Sequence, residues 1–260
     1  MPTVTAASKV HSQNHLRIVE DYLKSSLKGL KIKIENVKAA ANNWVQITFS
    51  GEDEKAAISY LEKELGLCPT HLEHLKKFST VRGYITSLSE SREEIRLDIG
   101  LTCPTTYVKI PLQRLQAQLA DGRKITLNKL IKLYGFSEHM PIKLNITSMN
   151  ENCIEAEITE AQLKMYRKWV KSLLDRLIVL GASQQEINKA LKEAKCLTDV
   201  IKIEPLGLFE HAVTCKLGTD AVGLIPKIGK NLPNKLLAAF QPKIILEFFG
   251  DYPTSPFILP

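Results

Sequence analysis

The sequence predicts an α+β protein made of two or three small domains. Its 260 residues suffice for about two domains, and 44% hydrophobic beside 24% charged residues is typical of globular chains. Segments with the two-residue period of strands and segments with the spacing of amphipathic helices follow each other along the chain. We therefore expect a small N-terminal α/β sandwich, a central closed β-barrel, and a C-terminal lobe that is first helical and then mixed α/β.

The N-terminal domain is predicted to span residues 13–78, after a disordered segment at residues 1–12. Apolar residues of its first helix recur at helical spacing, whereas its two strands alternate with period two. Acidic residues favour the first turn of its second helix, and Gly66 ends that helix. The four elements are a helix at 15–27, strands at 30–37 and 44–49, and a helix that opens at 50–54.

The segment at 79–159 is predicted to form a small closed barrel, because it holds five short strands separated by turn residues. Residues 126–134 predict a capped helix inserted before the last two strands. Asp98 is expected to end the second strand, and Gly100 to permit the turn after it. The strands are expected at 81–85, 94–100, 107–110, 141–146 and 153–158, with a turn at 150–152.

The C-terminal domain is predicted at 160–249 and begins with two helices separated by Gly181. Ser183 and Glu186 have the spacing of a capping box for the second helix. Two strands at 200–203 and 211–215, a helix at 231–240 and a final strand at 243–248 follow.

A proline-rich tail at 250–260 is expected to be extended, because its prolines lack an N–H and disfavour helix in the residues before them. The apolar side chains at 257–259 either fold back over the protein or dock into a protein partner.

Cysteines and apolar runs exclude several classes of protein. No run of about 18 apolar residues exists, and residues 1–13 lack the apolar core of a signal peptide. The cysteines are odd in number and never form a CxxC pair, which predicts buried thiols in a reducing compartment. They are Cys68, Cys103, Cys153, Cys196 and Cys215. We expect a cytoplasmic protein that does not associate with a membrane.

The net charge of +7 is concentrated in the last third of the chain. Residues 161–246 hold 14 Lys and Arg against 7 Asp and Glu, a balance of +7. Release of counterions from a polyanion is the usual use of such an asymmetry, and solubility alone is the alternative.

Four cations share about a third of the circumference of the predicted helix at 160–180, opposite an apolar face that includes Trp169 and Leu177. They are Lys164, Arg167, Lys168 and Lys171. This pattern predicts a stripe that contacts phosphates. The alternative is the solvated face of an amphipathic helix, with Asp175 paired to Lys171.

A glycine-punctuated loop at 218–229 precedes Lys230 and Lys235 and contains Lys227. Such a loop can present backbone N–H groups to a phosphate, although it matches neither of the common nucleotide-binding fingerprints. The alternative is a set of turns between short elements.

Two further groups of residues contain side chains that could bind a metal or act in catalysis. Cys68, His71 and His74 would fan across about 240° of a helix and could not easily converge on zinc. His211 and Cys215 would lie about 13 Å apart along a strand, too far for proton transfer. We therefore predict no metal, no cofactor and no catalytic residue.

The barrel segment resembles the S1-type OB barrel of RNA-binding proteins. The resemblance rests on 83–85, on Leu97-Asp-Ile-Gly100, on 108–111 followed by Leu115, and on the last strand pair. It covers about a third of the chain and implies RNA binding, with Tyr84 and Tyr107 as candidates for base stacking.

The whole chain also resembles an archaeal protein family of unknown function. The segments that carry this resemblance are 51–54, 97–100, 174–176, 205–208 and 215–226. It implies an archaeal cytosolic setting and supplies no activity.

Together these observations predict a non-enzymatic factor that binds RNA or a ribonucleoprotein assembly through the barrel and the basic C-terminal domain. The expected phosphate contacts are Lys164, Arg167, Lys168, Lys171, Lys227, Lys230 and Lys235. One alternative is a protein-interaction adaptor that uses the N-terminal domain and the tail. Another is an enzyme of unfamiliar type that acts at the 218–229 loop.

Overall fold

The computed structural model describes residues 1–69, 71–88, 93–101, 106–150 and 153–250. The chain forms a three-stranded sheet, a closed five-stranded barrel and a four-stranded sheet, with eight α-helices in the described part. The mixed α+β architecture with a central barrel is confirmed. The predicted tail, Cys103 and most of the turn at 150–152 lie outside the described residues.

The N-terminal domain is an antiparallel sheet, ordered β1-β3-β2, packed against two helices. Its elements are β1 (Thr3–Lys9), α1 (Gln13–Ser26), β2 (Ile32–Ala39), β3 (Trp44–Gly51) and α2 (Glu54–Glu64). The prediction of disorder at residues 1–12 is wrong, because β1 pairs with β3 and buries Ala6 and Ala7. Alanine side chains give only a weak hydrophobic pattern in the sequence, although their small size allows β1 to pack closely against its neighbours.

The barrel closes in the order β4-β5-β6-β8-β7, with β6 and β8 parallel and the other neighbours antiparallel. As predicted, β5 ends at Asp98, and Gly100 has a positive φ of 85°. The inserted segment contains two helices instead of the one expected. The elements are β4 (Thr80–Ser87), β5 (Glu94–Asp98), β6 (Val108–Pro111), α3 (Leu112–Leu119), α4 (Leu127–Tyr134), β7 (Pro141–Asn150) and β8 (Cys153–Ile158).

The C-terminal sheet is antiparallel, with the order β10-β11-β9-β12. Alternate residues of the central strand β9 face two different cores: Ile178 faces the barrel, whereas Leu177 faces a separate cluster. The elements from the barrel onward are α5 (Glu160–Lys171), β9 (Arg176–Leu180), α6 (Gln184–Glu193), β10 (Val200–Pro205), β11 (Glu210–Cys215), α7 (Ala221–Gly229), β12 (Leu236–Phe240) and α8 (Pro242–Phe249).

The two faces of this sheet carry different layers. Helices α6 and α7 pack on one face through Ile187 and Leu224. Helices α5 and α8, together with the barrel, pack on the other face through Tyr166 and Ile245. The sheet is therefore sandwiched between a pair of helices and the barrel.

Four secondary-structure predictions in this domain are wrong. The helix expected to run to residue 180 ends at Lys171, and 176–180 forms β9, because an apolar run buried on both faces lacks a distinguishing period. The helix expected at 231–240 contains strand β12, and the strand expected at 243–248 is helix α8, which starts at Pro242. Most of the loop expected at 218–229 is helix α7, capped by Asp220. The capping box at Ser183 and Glu186 is confirmed.

Candidate functional site

Helix α5 exposes a row of lysines. Thr159 caps the helix by accepting a hydrogen bond from the backbone of Gln162. Lys164, Lys168 and Lys171 are exposed, and none of them forms an ion pair with any residue in the described part of the chain. We call these three side chains the lysine face. Its charge is available to a partner.

Two details of the sequence prediction change here. Arg167 is only half-exposed, and its Nη1 donates to Glu160 Oε1 at 2.7 Å. The alternative interpretation paired Asp175 with Lys171, and this pair does not form, because Asp175 accepts hydrogen bonds from Ala221 N at 3.2 Å and Gln241 Nε2 at 3.3 Å. The lysine face therefore has three members and lacks the neutralising partner.

A groove of about 180 Å³ runs between the barrel, α5 and the β10–β11 turn. Arg82 of β4 and Lys143 of β7 supply its charges, and they are register partners in neighbouring strands. No acidic residue of the described chain lines it. The lining residues are Arg82, Pro141, Ile142, Lys143, Ala161, Gln162, Met165, Pro205 and Leu206. We call this cavity the barrel groove.

The lysine face and the barrel groove adjoin each other on α5. Ala161, which lines the groove, and Lys168 are seven residues apart, so they project from nearly the same side of the helix. Arg82 is held in place because its Nη1 donates to the carbonyl oxygens of Leu65 at 3.3 Å and Ala7 at 3.5 Å. The result is a cationic surface shared by the barrel and the following helix.

A buried polar network beneath the groove joins the N-terminal domain to the barrel. Lys9 Nζ lies 2.6 Å from Asp98 Oδ2, and both side chains are almost completely buried. Trp44 Nε1 donates to the same oxygen at 3.0 Å, and Gly100 N donates to Asp98 Oδ1 at 2.9 Å. These three donors hold the Asp98 carboxylate in place. We call the segment 97–100 the domain joint, because Asp98 links the N-terminal domain to the barrel.

The network extends into the C-terminal sheet through Glu210. Tyr84 OH donates to Glu210 Oε2 at 3.3 Å, while Glu210 Oε1 has no hydrogen-bond partner among the described residues. Burial raises the pKa of Glu210 to about 7, against the opposing effects of the Phe209 backbone and Arg82. A Cβ at Gly207 would collide with this carboxylate, which explains the glycine in the segment 205–208.

Tyr84 is not available for base stacking. Its ring is fully buried and lies edge-on to Trp44, with 5.3 Å between ring centroids. Tyr107, the second stacking candidate, is 45% exposed at the entry to β6. The aromatic platform expected from the S1 resemblance is thus reduced to one ring in the described structure.

Charged side chains on strands β5, β6 and β8 of the barrel, and on the adjacent helix α3, form ion pairs with one another. Lys109 Nζ lies 3.8 Å from Glu94 Oε2 and 3.4 Å from Glu155 Oε1. Arg96 pairs with Glu94 at 2.9 Å, and a further pair joins Arg114 to a glutamate of β8 at 3.7 Å. This face offers little net charge to a polyanion.

The remaining predicted phosphate contacts lie elsewhere. Lys227 and Lys230 belong to the end of α7, on the other face of the sheet from α5. Lys235 is half-buried, with its Nζ 3.5 Å from His15 Nε2. The structure does not gather the seven predicted cations into one cluster.

Most of the 218–229 segment is helix α7, and a cavity lies beside its first residue. A cavity of about 200 Å³ lies beside Gly218, lined by Lys216, Asp220 and Lys243 among others. The carboxylate of Asp220 is engaged in capping α7, where it accepts from Val222 N and Gly223 N. The polar groups here hold the backbone in place.

The metal and thiol constellations give no site in the described part of the chain. No group of three or more His, Cys, Asp or Glu among the described residues could hold a metal ion, and the His74 side chain lies outside that description. Cys68 and Cys215 are buried free thiols, and burial raises the pKa of Cys215 to about 11. His211 Nδ1 is buried without a hydrogen-bond partner among the described residues.

Sequence reasoning missed Arg82 and Lys143, which line the barrel groove. Each is the only charged residue of its strand, a pattern that fits any solvent-facing position. Only the pairing of β4 with β7 brings them together.

Three family models match consecutive parts of the chain. Residues 3–71 match the DUF2110 N-terminal domain, residues 75–170 the DUF2110 central domain, and residues 174–240 the DUF2110 C-terminal domain. A search of curated proteins found no match. No helix among the described residues has the length and apolar character needed to cross a membrane.

Proposed function

The chain belongs to the DUF2110 family, and we propose that it binds RNA or a ribonucleoprotein assembly without catalysing a reaction. The binding surface in this proposal is the lysine face together with the barrel groove. The resemblance at 205–208 and 215–226 suggests an archaeal cytosolic setting, which we include in the proposal.

The observation that carries the proposal is a set of cations whose charge the protein does not neutralise. The three lysines of α5 have no ion-pair partner in the described chain, and Arg82 and Lys143 continue the positive surface into a groove. Phosphate contacts by lysine and arginine release counterions, and this release supplies most of the sequence-independent affinity for nucleic acid.

The barrel supports a single-stranded nucleic acid as the polyanion, and the S1-type resemblance of its sequence favours RNA. The barrel is closed and five-stranded, with a parallel pair between the third and fifth strands and helices before the fourth, an arrangement that is compatible with the proposed OB-type barrel. OB barrels bind single strands through a cationic groove and stacked aromatic rings. Because Tyr84 is buried, we expect binding that depends mainly on phosphates and tolerates many base sequences.

The test is a triple charge reversal, Lys164→Glu, Lys168→Glu and Lys171→Glu, assayed on single-stranded RNA across a range of salt concentrations. If each lysine contacts one phosphate, the slope of log K against log salt becomes shallower by about 2. Affinity should fall for all RNA sequences alike.

A matched control reverses three exposed lysines of the N-terminal domain, Lys28, Lys55 and Lys63, none of which forms an ion pair with a described residue. This variant has the same net charge as the first. The proposal predicts that it keeps the wild-type slope. Equal losses in the two variants would mean that net charge alone drives binding, and unchanged affinity in the α5 variant would remove this surface from the interface.

A further inference from the structure

A second cavity lies where the three domains meet; two of the chain's six histidines line it, and a third lies behind its wall. Its volume is about 300 Å³. The N-terminal domain contributes His11, the barrel contributes Glu138 and His139, and the C-terminal sheet contributes Gly181 and Lys235. We call it the histidine pocket. It exists only when all three domains are packed together.

Two of the imidazoles form the wall of the pocket. The rings of His11 and His139 are exposed and lie 5.2 Å apart between centroids. His139 has a positive φ of 64°, and its backbone N donates to Ile85 O at 2.8 Å, which fixes this turn against the barrel. Both rings can therefore reach a molecule in the cavity.

The third imidazole lies behind Lys235. His15 is fully buried and stacks on Phe209, with ring centroids 4.0 Å apart and planes inclined by 5°. Its Nε2 lies 3.5 Å from Lys235 Nζ and 3.9 Å from Glu186 Oε2. This arrangement holds the Lys235 ammonium group at the pocket wall.

The charges that face these histidines come from every domain. Lys9 and Lys235 act on His11, Lys235 and Glu186 act on His15, and Lys9 and Glu138 act on His139. Burial and the Lys235 charge lower the pKa of His15 to about 4. Glu186 is already occupied, because its Oε2 accepts from Ser183 N at 2.7 Å and Ser183 Oγ at 2.9 Å. Lys235 and Glu138 are therefore the charged residues of the pocket lining, beside imidazoles that are uncharged at neutral pH.

A metal ion is a poor match for this arrangement. No group of three or more His, Cys, Asp or Glu in the described ranges could hold a metal, and the Lys235 ammonium would repel a cation. An anion gains from the same ammonium group, and it also favours the protonated form of nearby imidazoles. Phosphate oxygens accept strong, charge-assisted hydrogen bonds from lysine and imidazolium donors.

We propose that the histidine pocket binds a phosphate monoester, with proton uptake by its imidazoles. The bound group is either a small phosphorylated molecule or the terminal phosphate of an RNA. The two sources share the same chemistry, a compact dianion held by Lys235 and the imidazoles. The proposal does not depend on RNA binding at α5, because a free phosphate compound needs none of the lysine face.

The experiment is isothermal titration calorimetry of the full chain at pH 7 with inorganic phosphate, in two buffers of different ionisation enthalpy. We expect one site and a heat difference that, after correction for the proton that the phosphate monoanion releases when it binds as the dianion, corresponds to proton uptake by the imidazoles. Lys235→Met should weaken binding at least tenfold, whereas Lys192→Met, which removes an exposed charge from α6, should leave it unchanged. Absence of binding, absence of proton uptake, or equal losses in the two variants would overturn the proposal.

A second variant keeps the test valid if Lys235→Met does not fold. His139→Asn is at an exposed position with positive φ, which asparagine tolerates, and it should reduce both affinity and proton uptake. Unchanged values in a folded His139→Asn protein would contradict the proposal.

Two further comparisons distinguish a small phosphorylated molecule from the terminal phosphate of an RNA. Tenfold tighter binding of adenosine 5′-monophosphate than of adenosine indicates a small-molecule ligand. Tenfold tighter binding of a 5′-phosphorylated RNA than of the same RNA with a 5′-hydroxyl indicates a terminal phosphate. No preference for the phosphorylated member of either pair would overturn the proposal.

Discussion

The buried network at the domain joint and the lysine face of α5 use the same side chain in opposite ways. Lys9 is buried at the joint and lies 2.6 Å from Asp98, beside the ring of Trp44. Lys168 on α5 is exposed and has no ion-pair partner in the described chain. The first charge holds two domains together, and the second remains available to a partner.

The difference shows why net charge does not locate a binding surface. Barrel strands β5 and β6 contain Arg96 and Lys109, yet neighbouring glutamates neutralise both. Pairing geometry, which depends on which strands lie side by side, decides whether a cation is available. If this comparison is right, changes at the joint should cost stability, and changes at the lysine face should cost RNA affinity alone.

The largest expected effect is at the joint. Asp98→Ala leaves Lys9 buried without its counter-ion, which should lower the free energy of unfolding by about 3–5 kcal/mol. Urea denaturation followed by circular dichroism measures this loss. The double variant Lys9→Met/Asp98→Ala should be less destabilised than Asp98→Ala, because it buries no orphan charge. A loss below about 1 kcal/mol in Asp98→Ala, typical of an exposed pair, would show that the two regions do not differ as described.

A smaller effect is expected from the pH dependence of the joint. Glu210 has a pKa of about 7 in the folded chain against an ordinary value of 4.5, so between these values the folded state holds a proton that the unfolded state has lost. Its contribution to stability is therefore complete below pH 4.5 and disappears as the pH rises to 7. The amount is on the order of 3 kcal/mol.

Glu210→Gln should abolish this contribution. The free energy of unfolding of the variant should therefore rise relative to that of the wild type as the pH rises from 4.5 to 8. The quantity to measure is the difference in the free energy of unfolding between the two proteins. His15, which both proteins retain, makes a contribution of opposite sign that cancels in this difference. Its pKa is lowered to about 4, so its contribution is complete above pH 6.5 and lost as the pH falls. A difference that stays constant with pH would mean that Glu210 is ionised in the folded protein throughout this range.

The closed barrel and the exposed lysines of α5 could be predicted from the sequence, because both depend on local patterns. Alternation along 94–98 places Asp98 at a strand end, and helical spacing places Lys164, Lys168 and Lys171 on one face. These signals require no knowledge of distant residues.

The joint could not be predicted, because it depends on long-range pairing. Lys9 lies in a segment that the sequence suggested was disordered, and only the β1–β3 pair brings it to Asp98. Tyr84 has the position of a stacking residue in the S1 resemblance, but the C-terminal sheet covers it with Glu210. A single-sequence pattern cannot show which domain covers a side chain.

The central claim is that RNA lies on the lysine face and in the barrel groove, and lysine acetylation footprinting tests it most directly. The intact protein is acetylated with and without single-stranded RNA, and each lysine is quantified by mass spectrometry. The account predicts that RNA protects Lys143, Lys164, Lys168 and Lys171, and leaves Lys28 and Lys109 unchanged. Protection of Lys109 without protection on α5 would contradict it.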